Sequence, residues 1–442
     1  MITLALLLFG CADKSPSDDT GPSETGSSDT GSSDTGIVPP VFTTEARWSS
    51  SDDWEPSVAA SGDDVYQITT RIGADHARVI LRRSTDRGET WGEDMAVNPD
   101  GTDAYDPQVA VAAETGCVFV AWLDTDWATW VKHSCDGGES WSDDVRIRDE
   151  GQWTDHAWLL VSPDGQDLSL AFNGGVGESE DESSHGYVVT SHDGGATFEE
   201  AYDAGESSDR YWFPCFGGRN SMGTLYFSAA RYTSDYHGDA ELYVWRSTDN
   251  GDTWESAPVA TSAEPADCDW ADGCEFGFFA AQIAVAVDED GTALIAWQQG
   301  DEDGAPQALY VARTDAESWP DLSEPQVLSS GANHAFPMLA AGPSPGDFRL
   351  LYQASVDGEQ TPWNTWYQLT PDAGDSWLAE PVRLSDAAAG TPYKSEQGYT
   401  FPYGDYLGLA VDGEGAATAI WGEGPGWNGP GGTWWARELP GG

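Results

Sequence analysis

The stretch Ser84-Thr85-Asp86-Arg87-Gly88-Glu89-Thr90-Trp91 decides how this 442-residue chain folds. An Asp in that place accepts hydrogen bonds from backbone N–H groups a few residues on, and Gly supplies a positive φ. The Ser and Thr hydroxyls close the loop. The result is a tight turn between two strands, with an aromatic plug behind it. The same order returns at Ser134/Asp136/Gly138/Ser140/Trp141, Ser191/Asp193/Gly195/Thr197/Phe198, Ser247/Asp249/Gly251/Thr253/Trp254 and Thr370/Asp372/Gly374/Ser376/Trp377. A worn copy, Thr314-Asp315-Ala316-Glu317-Ser318-Trp319, is one residue shorter and lacks the Gly. Intervals of roughly fifty to sixty residues, with the worn copy inside a double interval, mark an array of similar modules. Asp86, Asp136, Asp193, Asp249, Asp315 and Asp372 are read as turn formers rather than as ligands of a metal or substrate.

Each module has the same parts around its turn. In the second, Pro107–Val111, Val118–Trp122 and Thr129–His133 read as three strands leading into the Asp turn, and a fourth follows near Val145-Arg146-Ile147. The middle strand is found seven times, beginning near Val65, Val118, Leu168, Leu225, Leu294, Leu350 and Ala417. Four antiparallel strands per unit, repeated radially, make an all-β propeller. The last unit, from Leu407 to Glu438, stops where its outer strand is due, whereas residues 41–47 resemble an outer strand without a module. Joining them closes the ring and covers a free sheet edge, so seven blades are expected, with the six-bladed sialidase type as the alternative.

Acidic residues outnumber basic ones 76 to 19, for a net charge of −57. Such a field repels a nucleic-acid duplex, and no basic stripe appears. Nucleic acid is therefore excluded as an expected partner. The acid reads as a solvated surface. No cofactor is required, and calcium is the one ion its acidic loops could take. His76, His185 and His237 fall in loops between second and third strands at no zinc spacing, so no metal ligands are assigned.

Residues 1–10 are apolar, and Leu8-Phe9-Gly10-Cys11 resembles the lipobox at which bacterial lipoproteins are cut and acylated. Cys11 would then carry the lipid. Residues 11–40 form an acidic Ser/Thr/Gly/Asp tether unable to build a core, and residues 41–442 form the propeller. The expected location is the bacterial envelope, at the outer membrane or cell surface, held through the lipid alone. A monomer is expected. Export permits disulfides: Cys117 with Cys135 is the first expected pair and Cys268 with Cys274 the second, while Cys215 is left over or replaces a member of the second.

The repeated turns and blade pattern resemble the Asp-box (BNR-repeat) proteins, the sialidase-like propeller superfamily, over nearly everything after residue 41. In sialidases of that family three arginines grip a substrate carboxylate, a Tyr/Glu pair supplies the nucleophile and an Asp is the acid/base. One arginine normally lies in an Arg-Ile-Pro motif. Here Arg71-Ile72-Gly73 is the nearest approximation, with Gly in place of Pro. The motif is specific for fold and weakly specific for activity.

If the Asp turns occupy one face, the opposite face displays the entrances of the innermost strands. Those segments are aromatic and acidic, a combination that sugar-binding clefts use. They contribute Trp54, Tyr105, Trp153, His156, Trp212, His334, Phe336, Tyr399 and Asp405 as candidate ligand contacts. Packing between blades is the competing reading for each ring. The leading expectation is a surface propeller that recognises a glycan or protein through this face. The alternative is an exo-glycosidase of sialidase type acting on a terminal acidic sugar. It would use Arg71, Arg210 and Arg231 as clamp, Tyr403 with Glu396 as nucleophile pair, and Asp106 or Asp155 as acid/base. A structural or assembly protein of the envelope is the third class.

Overall fold

Strand β1 (Ala46–Arg47) comes first in the chain but belongs to the last sheet. The computed structural model describes residues 36–149, 151–176, 184–204, 211–234, 237–266, 281–355, 363–385, 407–423 and 432–440. Blade 1 holds β2 (Asp52–Ser61), β3 (Asp64–Ile72), β4 (Ala77–Ser84) and β5 (Met95–Ala96). Blade 2 holds β6 (Ala104–Val111), β7 (Val118–Asp124), β8 (Thr129–Ser134) and β9 (Val145–Arg146). Blade 3 is β10 (Gln152–Val161), β11 (Leu168–Val176), β12 (His185–Ser191) and β13 (Tyr202–Asp203). Blade 4 is β14 (Tyr211–Arg219), β15 (Leu225–Ser234), β16 (His237–Ser247) and β17 (Glu255–Ser262). Blade 5 contains β18 (Ile283–Val287), β19 (Ala293–Gln299), β20 (Ala308–Thr314) and β21 (Gln326–Ser329). Blade 6 contains β22 (His334–Ala341), β23 (Phe348–Ser355), β24 (Trp363–Thr370) and β25 (Val382–Arg383). Blade 7 is β26 (Gly408–Val411), β27 (Ala417–Glu423) and β28 (Gly432–Arg437), completed by β1.

All seven sheets are antiparallel, and their innermost strands touch in the order β2, β6, β10, β14, β18, β22, β26 and back to β2. The protein is a seven-bladed β-propeller, not the six-bladed alternative. Closure follows the expected route. Ala46 pairs with Trp435 and Arg47 with Trp434, Phe42 bridges Glu438, and Thr43 N donates to Arg437 O at 2.9 Å. Beyond β1, Trp48 lies with Trp91 against the Arg82 guanidinium, each ring centroid 4.3 Å from its carbon. This cation–π contact carries the seam into blade 1. The compact unit runs from Ile37 to Gly442.

The repeated turns have the geometry their residues dictate. Thr90 donates its N–H to Asp86 Oδ1 at 2.8 Å and its hydroxyl to Oδ2 at 2.6 Å, while Gly88 N donates to Ser84 Oγ at 2.8 Å. Asp136, Asp193, Asp249 and Asp372 repeat the pattern. The worn turn keeps part of it, since Ser318 N donates to Asp315 Oδ1 at 2.8 Å. Each turn also wedges against the preceding blade. Gly251, at φ 98°, shows why Gly is needed there: a Cβ would stand 2.6 Å from Thr190 Oγ1 of blade 3.

These donors favour the ionised carboxylate. The hydroxyls of Thr90 and Ser140, followed by their backbone N–H groups, hold Asp86 and Asp136 down at about 2. Hydroxyl and amide of Thr197 lower Asp193 too. Burial pushes Asp249 and Asp372 up but is outweighed by the same donors, leaving both low. A folded pKa below the unfolded value gives stability that is present above the unfolded pKa and lost as pH falls through the folded one. The expected result is a cooperative loss of structure between about pH 4 and pH 2 with uptake of several protons. Acid titration followed by tryptophan fluorescence checks it, and Asp86→Asn combined with Asp136→Asn flattens that limb.

Cys117 and Cys135 form the first expected disulfide, with Cα atoms 4.1 Å apart. Cys268 and Cys274 lie outside the described residues, as does the side chain of Cys215. The core is rich in tryptophan, with Trp54, Trp245, Trp297, Trp363 and Trp421 fully buried. Trp122, Trp297 and Trp421, near the ends of middle strands, are buried as well.

Candidate functional site

The innermost strands enter the sheets on the face opposite the Asp turns, because Asp52 pairs with Ile72 at one end of blade 1 while Ser61 pairs with Asp64 at the turn end. A few residues in, the register slips. Blades 1, 2, 3, 4 and 6 carry bulges at Trp54/Ser57, Tyr105/Gln108, Asp155/Trp158, Pro214/Gly217 and Ala335/Met338. Pro56, Pro107 and Pro337 sit inside these bulges, where a missing N–H breaks no ladder bond. The residue before each proline, or its equivalent, is left-handed: Glu55 (φ 54°), Asp106 (50°), His156 (50°) and Phe336 (54°). Four non-glycine residues thus accept the same unfavourable conformation at the same step of four blades. Each costs about 1–2 kcal/mol. Opposite the bulge in blade 1, Thr69 Oγ1 donates to Trp54 O at 2.7 Å, and Ser228 Oγ donates to Phe216 O at 2.9 Å in blade 4. Small hydroxyls thereby satisfy carbonyls that the slip leaves over.

Carboxylates at this end tie neighbouring blades together. Glu55, only 5 % exposed, accepts from Thr70 Oγ1 at 2.8 Å within blade 1 and from Asp106 N of blade 2 at 2.7 Å. Asn173 Nδ2 donates to Asp155 Oδ2 at 3.2 Å and to the Tyr211 hydroxyl of blade 4 at 3.1 Å. Neither Glu55 nor Asn173 was among the candidates from sequence. The signal for Glu55 was the repeated acid-Pro pair of Glu55-Pro56 and Asp106-Pro107; Asn173 gives none.

The expected aromatic contacts are placed differently from the carboxylates. Trp54, Trp153, Trp212, His156, His334 and Phe336 are enclosed by protein, Trp54 being 2 % exposed. Their faces are turned into packing rather than toward a ligand, which corrects the expectation for them. The reason is physical: a large ring gains more by burial between blades than by exposure at a wet mouth. His156 lies 4.1 Å from Phe213 between ring centroids. His334 engages Gln307 O through Nδ1 at 2.8 Å and Ser329 Oγ through Nε2 at 2.9 Å, and burial pushes its pKa down, so it is a neutral structural ring. Tyr105, Asp106 and Asp155 remain half-buried and accessible.

The two described arginines of the expected clamp are three blades apart. Arg71 of blade 1 donates Nε and Nη2 to Asp53 at 2.6 and 3.2 Å and Nη1 to Asp94 at 2.7 Å. Arg231 of blade 4 pairs with Glu241 and lies over the adjacent rings of Trp212 and Tyr243, 5.3 Å from each centroid. Arg210, Tyr403, Glu396, Tyr399 and Asp405 lie outside the described residues, as does Cys11.

Of the three histidines expected in loops, His76 lies in one and faces Asp103 at 3.4 Å, whereas His185 opens β12 and binds Asp203 at 2.9 Å, and His237 opens β16. The side chain of His237 is outside the described set. Among the described residues one group could gather around a metal, His192, Glu199 and Asp252, on the Asp-turn side. It includes an imidazole, unlike the all-oxygen set that suits calcium, and His192 is held by Asp167 at 2.8 Å and Asp252 at 3.2 Å.

Known proteins share this architecture. A polysaccharide lyase described as a PL25 ulvan lyase, solved bound to -[GlcA(1-4)Rha3S]-, aligns at TM-score 0.55 and 10% identity over 89% of this chain and 95% of its own. A protein of unknown function from Dyadobacter fermentans DSM 18053 aligns at TM-score 0.50 and 14% identity over 91% of this chain and all of its own, 100%. The intramolecular trans-sialidase from Ruminococcus gnavus aligns at TM-score 0.43 and 13% identity over 88% and 94%. At such identities the likeness is one of fold. No protein-family model matches the sequence, and no curated protein does.

Proposed function

We propose that this chain is an exported, lipid-tethered propeller of the Asp-box type that recognises a glycan through the face opposite its Asp turns. The observation that carries the reading is the bulge repeated in five blades. Bulges and strained left-handed residues are devices that re-aim side chains, and they gather where a surface does chemical work. Here they set accessible Tyr105, Asp106 and Asp155 around the inner strand entrances, where carboxylates can hold sugar hydroxyls. The ulvan lyase that shares the fold binds a uronate-containing saccharide, which favours a glycan over a protein as the ligand.

Recognition is preferred to sialidase-type hydrolysis because Arg71 is already occupied by Asp53 and Asp94. The lipid on Cys11 and the tether to residue 40 would hold the propeller at the envelope surface. A glycan array probed with the soluble propeller tests the reading. Tyr105→Ala and Asp155→Ala are expected to weaken binding at least about tenfold, the loss of one good contact, and no phenol is released from a fluorogenic sialoside. Unchanged binding in both variants would remove this face from recognition, and sialoside turnover would restore the hydrolase.

A further inference from the structure

In a chain so acidic, arginines are normally claimed by carboxylates, and Arg71, Arg83, Arg87, Arg231, Arg349 and Arg437 each have one. Among the described residues, no carboxylate pairs with Arg146 or Arg148. Two residues apart at the end of β9, they line one groove of about 750 Å³ between the outer strand of blade 2 and the outer half of blade 3. Arg146 Nε and Arg148 Nη1 are buried with no hydrogen-bond acceptor among the described residues. A buried guanidinium N–H without an acceptor is costly, which marks a place where an acceptor is expected to arrive.

The groove is also organised. Arg148 Nε donates to Gln152 Oε1 at 2.8 Å, and its guanidinium carbon lies 4.3 Å from the Tyr187 ring centroid. Tyr187 in turn stacks on His185 at 5.8 Å and 18°, and His185 is fixed by Asp203. The Arg148 fork is therefore held on an aromatic wall, with Arg146 beside it along the same groove, an arrangement that suits two-point binding of a planar or tetrahedral oxyanion. Asp149, Glu199, Glu200 and Asp203 also line the groove. They can accept from sugar hydroxyls and would repel a densely charged polyanion.

We propose that this groove binds the acidic group, a carboxylate or a sulfate ester, of a saccharide in which acidic sugars alternate with neutral ones. The proposal deepens the glycan reading and rests on it, but places the anchor at the rim of blades 2 and 3 rather than at the inner strand entrances. The net charge of −57 repels such a ligand at long range, so the association rate rises with moderate salt, the reverse of a nucleic-acid binder.

The test is titration calorimetry of the chain with four probes: an oligosaccharide alternating glucuronate and neutral sugar, its carboxyl-reduced counterpart, a sulfated neutral oligosaccharide, and inorganic sulfate. Arg146→Gln with Arg148→Gln should weaken the anionic probes roughly thirtyfold. Arg146→Lys with Arg148→Lys, which keeps charge but not the fork, should lose less, and near-ultraviolet dichroism verifies that both variants fold. Selective loss on carboxyl reduction assigns the carboxylate, and tight binding of the sulfated probe assigns the ester. Saccharide binding that is equal in the original chain and the Gln variant overturns the groove while leaving the glycan reading standing. Arg-dependent uptake of inorganic sulfate with no saccharide bound keeps the groove and removes the glycan reading. Binding of no anion overturns the groove.

Discussion

Deleting residues 37–47 opens the ring, lowers the urea midpoint and makes the chain self-associate. The segment supplies the outer strand of blade 7 through Ala46 and Arg47, and two further backbone bonds through Thr43 and Val41. At about 1 kcal/mol for each backbone bond, its loss removes about 5 kcal/mol once the β1 pairing is included. The second consequence is larger in practice. Strand β28 becomes an uncovered edge with Trp434 and Trp435 on it, a template for pairing with another chain. Urea denaturation and sedimentation velocity on the truncated chain read both effects. An unchanged midpoint in a clean monomer would show that the ring closes without this strand.

Glu55→Ala is expected to destabilise the propeller by about 3 kcal/mol, because each buried donor left without its acceptor costs about 1–3 kcal/mol. The carboxylate serves Thr70 Oγ1 and Asp106 N from an enclosed position, so its removal strands donors on two blades. A graded series separates the causes. Glu55→Gln keeps an acceptor oxygen and should cost about 1 kcal/mol. Glu55→Gly loses the carboxylate but relieves the left-handed backbone at φ 54°, so it should be milder than Ala by about 1 kcal/mol. Chemical denaturation gives the order. Equal effects of Ala and Gly would mean that the backbone at this bulge is not strained.

The parts of the fold that could be read from sequence are those written locally. Ser84 to Trp91 encloses its own hydrogen bonds, so the turn, its repetition and the hairpin it closes needed no tertiary information. The starts of the middle strands followed from that frame, and the closing strand followed from a count: one outer strand lacking at Glu438 and one to spare at residue 41. Cys117 and Cys135 came with the same hairpin.

The site was less legible because it is made by register and by contact between modules. Alternation identifies Trp54 and Trp153 as strand residues but not whether the ring meets solvent or the next blade. A bulge of one step reverses the answer, and its trace in sequence is only a proline three or four residues into a strand, missing altogether in blade 3. Arg71 was nominated with Arg210 and Arg231 as a clamp, yet its environment is fixed by Asp53 and Asp94, which no local pattern connects to it. Arg146 was read as part of an ordinary outer strand, and Arg148 drew no reading at all. Their groove is assembled with Gln152, Tyr187 and Asp203, residues spread over two blades, and only the folded ring brings them together.

Recognition at the inner strand entrances and along the blade 2 and blade 3 groove is tested most directly by hydrogen–deuterium exchange, measured with and without the glucuronate-containing oligosaccharide. The account predicts slowed exchange in residues 104–107, 145–149 and 152–156, with the turns at residues 84–91 and 247–254 unchanged. Protection confined to those turns, with none at the strand entrances or along the blade 2 and blade 3 groove, would contradict it.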